Sequence, residues 1–341
     1  MKCCSGELRI GLSQCCGDQM AMIRLLVSKG VESNDLILYK KSAILLAIMA
    51  KDSRIEWTDH TFNPWWGCVK VSAACDNCYA EAWAKRLGAD VWGVKNGRRF
   101  FGEAHWREPL KWDAEAKAKG RRLRVFCASM GDVFEKNPVL VPHRQRLLDL
   151  IAVTPNLDWL LLTKRIHGVR KLLPNGYEFP GNVWLGATVE NQEVADKMIK
   201  YLLEFETPSV RFLSCEPLLG KLNLASYLIP TLKGMRVDWV ITGGESGAGS
   251  RPMNPVWPSE IQAQCAAAGV PFHFKQWGHW APIELVRDVM TKNTRIELME
   301  SDKRSTVSLA AIGKGKAGRS LAGKHWDQFP KTKSKHIAIL R

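Results

Sequence analysis

The chain has 341 residues, 46% of them apolar, and a formal net charge of +15. That is enough for one large domain or two ordinary ones with a sizeable core. No run of eighteen apolar residues occurs, the longest early stretch "SAILLAIMA" at 42–50 is too short to span a bilayer, and no signal-peptide pattern opens the chain, so a soluble cytoplasmic protein is expected.

Residues 1–48 differ in character from the rest of the chain: they carry two Cys-Cys pairs, scattered glycines and no hydrophobic period. They are expected to be an extension, poorly ordered or left by an upstream start, with Met49 as the natural beginning; a small cap is the alternative. A main domain over 49–330 and a basic tail at 331–341 complete the expected organisation. Residues 303–341 hold ten Lys or Arg against one acid, Asp327, which is +9 of the +15. Such a segment attracts polyanions, most often nucleic acid, or is a solvated end.

From residue 124 onward, short apolar runs rich in β-branched and aromatic residues alternate with longer amphipathic stretches. The runs are 124–129, 158–163, 182–188, 210–215, 238–243 and 271–276, with helical patterns such as 142–154 and 191–205 between them. A further strand near "NPWWGC" makes about seven. Nearly continuous apolarity suits parallel strands covered on both faces. The expected fold is α/β, a full or partial (β/α) TIM-like barrel of about six or seven units, with a doubly wound open sheet as the alternative. In a barrel the loops after the strands build the site. Here those ends read Cys68, "SMGDVFE", "TKR", "TVEN", "CEP", "GGESG" and "KQWG".

The densest signal is "WWGCVKVSAACDNCYAEAWAKRLG" at 65–88, with three of the ten cysteines. Six residues separate Cys68 from Cys75, and two separate Cys75 from Cys78. The spacing allows three thiolates to meet on one face of a loop that leads into a helix, whose N-terminal amides favour anionic sulfur. Structural zinc wants four ligands, usually two pairs. His60, His105 or Cys127 could be a fourth, but none has a matching spacing. Three cysteines favour a [4Fe-4S] cluster with one open iron; structural zinc and unliganded reduced thiols are the other readings.

This arrangement resembles the radical S-adenosylmethionine superfamily, whose cluster loop follows the first strand of a partial (β/α) barrel. The usual gaps there are three and two residues, so the six-residue gap departs from the pattern. More narrowly, "IEWTDHTFNPWWGCVKVSAACDNCYAE", "FCASMGDVFE", "LLLTKR", "VWLGATVENQ", "FLSCEPLLG", "DWVITGGESG", "FKQWG" and "GKAGRSLAGKHWDQFP" resemble the phage gp-thirty-seven/gp-sixty-eight family over about 49–330. The resemblance implies a phage or prophage iron–sulfur protein in a bacterial host cell. It implies Cys68, Cys75 and Cys78 as cluster ligands, S-adenosylmethionine as cofactor, a 5′-deoxyadenosyl radical, and a flavodoxin- or ferredoxin-type reductant. Tyr79 resembles the aromatic that often follows the third cysteine. Gly131 and Asp132 stand where the superfamily places a Gly-Gly-Glu-like segment against the cofactor's amino group, and they depart from it in sequence.

Other polar positions have chemistry of their own. Thr188, Glu190 and Asn191 could bind ribose hydroxyls, Gly243 and Gly244 fit a tight turn beside a ligand, and Glu190 and Glu245 could serve as acids or bases. Cys215, beside Glu216, could donate a hydrogen atom or be a small buried hydrophobe. Lys164, Arg165 and Lys275 suit carboxylates or phosphates. Seven tryptophans in the first third, interleaved with Lys and Arg, could stack bases or pack around the cysteine loop. The expected function is a radical S-adenosylmethionine enzyme acting on nucleic acid or a nucleotide. The rivals are a non-catalytic nucleic-acid-binding protein with structural zinc, and a barrel hydrolase using Glu190, Glu216 and Glu245.

Overall fold

The computed structural model describes residues 53–331, apart from residues 54, 248, 303 and 304. The expected extension 1–48 and nearly all of the expected tail 331–341 lie outside the described residues. Seven strands form one parallel sheet: β1 (His60–Thr61), then, after the antiparallel ribbon β2 (Trp65–Trp66) and β3 (Arg99–Phe100), β4 (Leu123–Cys127), β5 (Leu157–Thr163), β6 (Val183–Thr188), β7 (Val210–Cys215), β8 (Trp239–Gly243) and β9 (Phe272–Gln276). The strands lie side by side in chain order, and every pairing is parallel. With no reversal of strand order the sheet is not doubly wound; it is a curled, partial (β/α) barrel.

The first strand falls earlier than the aromatic run suggested. Pro64 cannot donate to a ladder, so the sheet takes His60–Thr61, and Trp65–Trp66 turns away to pair with Arg99–Phe100. The connecting helices are α1 (Tyr79–Arg86), α2 (Glu103–Trp106), α3 (Glu108–Ala118), α4 (Val141–Ala152), α5 (Gln192–Leu202), α6 (Ala225–Leu228), α7 (Val256–Ala267), α8 (Ile283–Val286) and α9 (Lys314–Ala317). Of these, α5 shows how sequence sets an element. The Asn191 side chain accepts from the Val194 amide at 3.0 Å, and Ala195, Ile199 and Leu202 repeat at helical spacing on its buried face. Between β5 and β6 the crossover is a 3₁₀ segment, Ile166–Leu172.

Strand periodicity sorts the apolar residues into two clusters. Val125, Trp159, Leu161, Leu185, Leu213 and Val240 face the helices, while Phe126, Leu160, Trp184, Phe212, Trp239 and Ile241 face the concave interior with Trp57. The floor of that interior is closed by residues from far along the chain. The Phe274 amide donates to Trp326 O at 2.9 Å, Trp239 Nε1 donates to Gln328 O at 2.9 Å, and the Phe329 ring lies 5.3 Å from that of Trp239. On its other side, the Arg124 guanidinium sits 3.9 Å from the Phe329 ring centre. With the N-terminal mouth filled by aromatic rings, the concave face opens at the C-terminal ends of the strands. Beyond β9, a separate antiparallel sheet joins β10 (Trp280–Pro282), β12 (Ser305–Ala311) and β11 (Ile296–Asp302) in that order. Among the described residues no helix is long and apolar enough to cross a membrane.

Candidate functional site

A cavity of about 360 Å³ occupies the C-terminal mouth of the partial barrel. One wall is the cysteine loop; the others are the ends of β4 through β9. The loop begins at Gly67, whose φ of +110° and whose approach to Val91 O, 2.2 Å from where a Cβ would sit, leave room for no other residue. Its amide donates to Met130 O at 2.9 Å, fixing the loop to the end of β4. A single 3₁₀ turn, Ala73–Cys75, comes next, and α1 starts at Tyr79 with Cys78 at the N-cap position, its side chain making no capping bond.

Cys68, Cys75 and Cys78 are all free, all partly exposed, and all on the cavity wall. Burial, together with the negative charges of Asp132 and Glu135 set against Arg165, pushes the Cys68 thiol up to about 12. Among the described residues no three His, Cys, Asp or Glu side chains converge as a metal-ligand group, so the loop lays the thiols along one wall without closing them on a point. The fourth-ligand candidates are elsewhere. Cys127 is in the buried helix-side core, and neither His60 nor His105 lines the cavity. His105 Nε2 is hydrogen-bonded to Asn63 O at 2.8 Å, and its ring stacks on Phe62. The donor set on the wall is therefore three thiols, which fits a cluster with one open iron better than four-ligand zinc.

Two arginine–carboxylate pairs hold the loop. Asp132, buried at the end of β4, accepts from Thr163 Oγ1 at 2.8 Å and from the Lys164 amide at 3.1 Å, and it pairs with Arg165 at 2.9 Å. Arg165 in turn donates to Val69 O at 2.6 Å and to Cys68 Sγ at 3.5 Å. On the other side, Arg251 is bound to Glu245 at 2.5 Å and donates to Ala73 O at 2.8 Å. Asn77, between the second and third cysteines, donates to Glu245 Oε2 at 2.9 Å and to Gly249 O at 2.8 Å. Burial opposes ionisation of Glu245, yet the bonds from Arg251 and Asn77 hold its carboxyl below the ordinary value. Behind the loop, buried Arg98 pairs with Glu135 at 2.5 Å and donates to the carbonyls of Val91, Gly93, Asn96 and Gly97.

The structure thus redistributes several expected roles. Asp132 and Glu245 line the cavity, but their carboxylates are engaged in fastening the loop. Arg165 and Lys275 also line it without free charge, since Arg165 pairs with Asp132 and Lys275 with Glu216 at 2.8 Å. Lys164 faces the cavity with no carboxylate partner among the described residues; its ammonium is 3.5 Å from Thr188 Oγ1. Gly131 and Gly244 line the cavity, whereas Gly243 does not. At Gly244 a Cβ would stand 2.0 Å from Trp277 O, so the ends of β8 and β9 touch there. Tyr79 is on the wall, 52% exposed, its hydroxyl donating to Ser129 O at 3.1 Å.

Besides Gly243, three expected residues do not reach the cavity. Cys215 is fully buried in the helix-side core, because strand alternation turns Leu213 and Cys215 outward and Ser214 inward. Its proposed hydrogen-atom donation is therefore corrected to core packing. Asn191 is committed to capping α5. Glu190 is 1% exposed behind the wall, with no hydrogen-bond partner for Oε1 among the described residues. Of the two readings of the tryptophans, packing describes Trp57, Trp65, Trp66, Trp92, Trp106 and Trp112, which are buried. Sequence reasoning missed Asn77, Ser214, Ser246, Arg251 and Gln276. Asn77 was within the cysteine motif, and Ser214 could have been found from strand parity.

Residues 52–330 match the family described as "Protein of unknown function (DUF5131)", and the chain belongs to that family. No curated protein matches it. Among solved structures it is similar to a double mutant of spore photoproduct lyase with bound AdoMet and dinucleoside spore photoproduct, at 12% identity, over 78% of this chain and 71% of that one, with a TM-score of 0.41. A single mutant of the same lyase is similar at 12% identity, over 76% and 70%, with a TM-score of 0.40.

Proposed function

We propose that the chain is a radical S-adenosylmethionine-type iron–sulfur enzyme of phage or prophage origin, working in the cytoplasm of a bacterial host on a nucleotide or nucleic acid. The observation that carries this reading is the placement of three free thiols from one loop on the wall of the cavity at the barrel mouth, with no fourth Cys or His beside them among the described residues. Cys68, Cys75 and Cys78 would hold a [4Fe-4S] cluster. When bound, the cluster supplies the electron, drawn from a flavodoxin- or ferredoxin-type reductant, for cleavage of S-adenosylmethionine. Around it, this chain's residues position and exclude. Arg165 and Arg251 anchor the two ends of the loop, Gly131 lets backbone approach a ligand, and Lys164 beside Thr188 offers a cation with no carboxylate partner among the described residues. The aromatic floor keeps water from entering below. The net charge of +15 favours a polyanionic substrate.

The zinc reading lacks a fourth ligand among the described residues. The hydrolase reading lacks free carboxylates, since Glu216 and Glu245 are ion-paired and Glu190 is off the cavity. The test is anaerobic reconstitution of the full chain, followed by iron, sulfide and zinc counts and a visible spectrum. About four irons per chain with matching sulfide, lost when the three cysteines are changed to serine, is the expected result. One zinc and a colourless protein would overturn the assignment.

A further inference from the structure

The charges around the cavity do not cancel. Its lining holds the cations Lys70, Lys164, Arg165, Lys275 and Lys314 and the carboxylates Asp132, Glu216 and Glu245. Each carboxylate is taken by a cation: Asp132 by Arg165 at 2.9 Å, Glu216 by Lys275 at 2.8 Å, and Glu245 by Arg251, which is not itself on the lining. Lys70 is paired with Glu81 at 3.1 Å, also off the lining. Two ammonium groups are left over. Lys164 is half-buried just after β5, and Lys314 is exposed on α9; neither has a carboxylate partner among the described residues.

Lys314 is placed by backbone rather than by its own side chain. Gly313 and Gly318, at φ of +81° and +74°, turn the chain into and out of α9. The Gly313 amide donates to His279 O at 3.1 Å, the Trp277 amide to Gly318 O at 3.2 Å, and Trp277 Nε1 to Ser320 O at 2.8 Å. Arg319 Nε donates to Lys275 O at 3.1 Å, and Ala317 and Leu321 are buried. The turn is thereby fixed to the end of β9 while its ammonium stays free. No acid lies nearby in sequence: residues 306–326 contain Lys314, Lys316, Arg319 and Lys324 and no Asp or Glu. Of these four, Arg319 pairs with Asp327. Lys316 is exposed and off the lining, so the positive field continues from the cavity onto the outer surface. A rigid mount carrying a long, unpaired point charge suits a phosphate oxygen. We propose that Lys314 contacts a phosphodiester of a single-stranded nucleic acid, whose backbone crosses α9 while one of its bases enters the cavity. A base can enter such a cavity only when it is out of a duplex stack, which commits the substrate to a single or locally opened strand. The inference rests on the proposed function for its substrate class; it needs no cluster.

Fluorescence anisotropy with a labelled single-stranded DNA of about eight nucleotides and the full-length chain tests it, across about 50 to 400 mM salt. Saturable binding is expected, and a methylphosphonate strand of the same sequence, whose backbone is uncharged, is expected to bind at least about tenfold more weakly. That comparison uses the unaltered chain and does not depend on any variant folding. Lys314→Gln is expected to reduce the slope of log Kd against log salt by about 0.7 and to weaken binding about fivefold at 100 mM salt. Lys314→Arg should keep both. Lys117→Gln should leave both unaltered, because the end of α3 leads into the start of β4, away from the mouth. A variant with Cys68→Ser, Cys75→Ser and Cys78→Ser is expected to bind the strand unchanged, so failure of the iron–sulfur assignment would leave this result standing. Equal binding of the charged and uncharged strands, an unaltered slope in Lys314→Gln, or an equal loss in Lys117→Gln would overturn the contact at Lys314 while leaving a nucleic-acid substrate in place. Absence of any strand binding would overturn both.

Discussion

The two clamps on the cysteine loop use the same chemistry in different settings. Asp132 and Arg165 come from the ends of adjacent strands, β4 and β5, and both side chains are nearly buried, at 8% and 11% exposure. Glu245 and Arg251 come from a single loop after β8; the carboxylate is buried at 4%, but the guanidinium is 34% exposed. The first cysteine is therefore tied to the barrel frame. The second and third are tied to a loop that closes on itself through its own ion pair. Two anchors so differently built make the ends of the cysteine loop separable: disturbing one clamp releases one part of the thiol set.

The largest effect is expected at the first clamp. Asp132→Asn leaves Arg165 as a buried cation without its counter-charge, and breaking a buried pair by removing one partner costs about 3–5 kcal/mol. Urea unfolding should show that loss, and mass-spectrometric alkylation kinetics should show Cys68 labelling faster while Cys75 and Cys78 keep their rates. Equal acceleration of all three would mean that the loop is released as one unit.

A site remote from both clamps gives a second, pH-dependent reference. Burial pushes His273 down to about 4 from 6.5, with Asp327 opposing the shift and Arg319, Lys275 and Arg124 adding to it. Its folded value lies below its unfolded value, so the unfolded chain binds the proton first as pH falls. The contribution is present above pH 6.5 and is lost as pH drops toward 4, reaching about 3 kcal/mol at the low end. Unfolding at pH 7, 5.5 and 4.5 should show this slope in the parent chain and a flatter one in His273→Leu, with thiol labelling selectivity unaltered. An unchanged slope would reject the assignment.

The smallest effect is expected at the second clamp. Glu245→Gln keeps an acceptor for Asn77 but removes the charge facing Arg251, which is partly hydrated, so a loss of about 1 kcal/mol is expected. Cys75 and Cys78 should then label several-fold faster with Cys68 unaffected. That pattern, reciprocal to the one in Asp132→Asn, would establish that the two ends open independently; acceleration at Cys68 instead would abolish the distinction.

Much of the frame was legible because buried parallel strands announce themselves by continuous apolar runs. The strand expected at 210–215 is observed at those residues, and those expected at 158–163 and 238–243 each shift by one residue at the start. The first strand was misplaced because two residues are too few to show a period, and Trp65–Trp66 offered a stronger but local signal. The convergence of Asp132, Thr188, Glu216 and Lys275 followed from their position at strand ends. What each group does was not legible. Ion pairing between residues as far apart as Glu216 and Lys275 depends on which strands become neighbours, and the single-residue step from Cys215 to Ser214 reverses which side chain meets the cavity.

The ring of Phe329 has a bearing on biosynthesis. It closes the concave interior from below, yet it comes after nearly the whole barrel in the chain. While the ribosome is still making the segment that carries it, Trp57, Trp184 and Trp239 surround an unsealed hollow. Any barrel formed before residues 326–329 arrive lacks the ring that covers Trp239 from below.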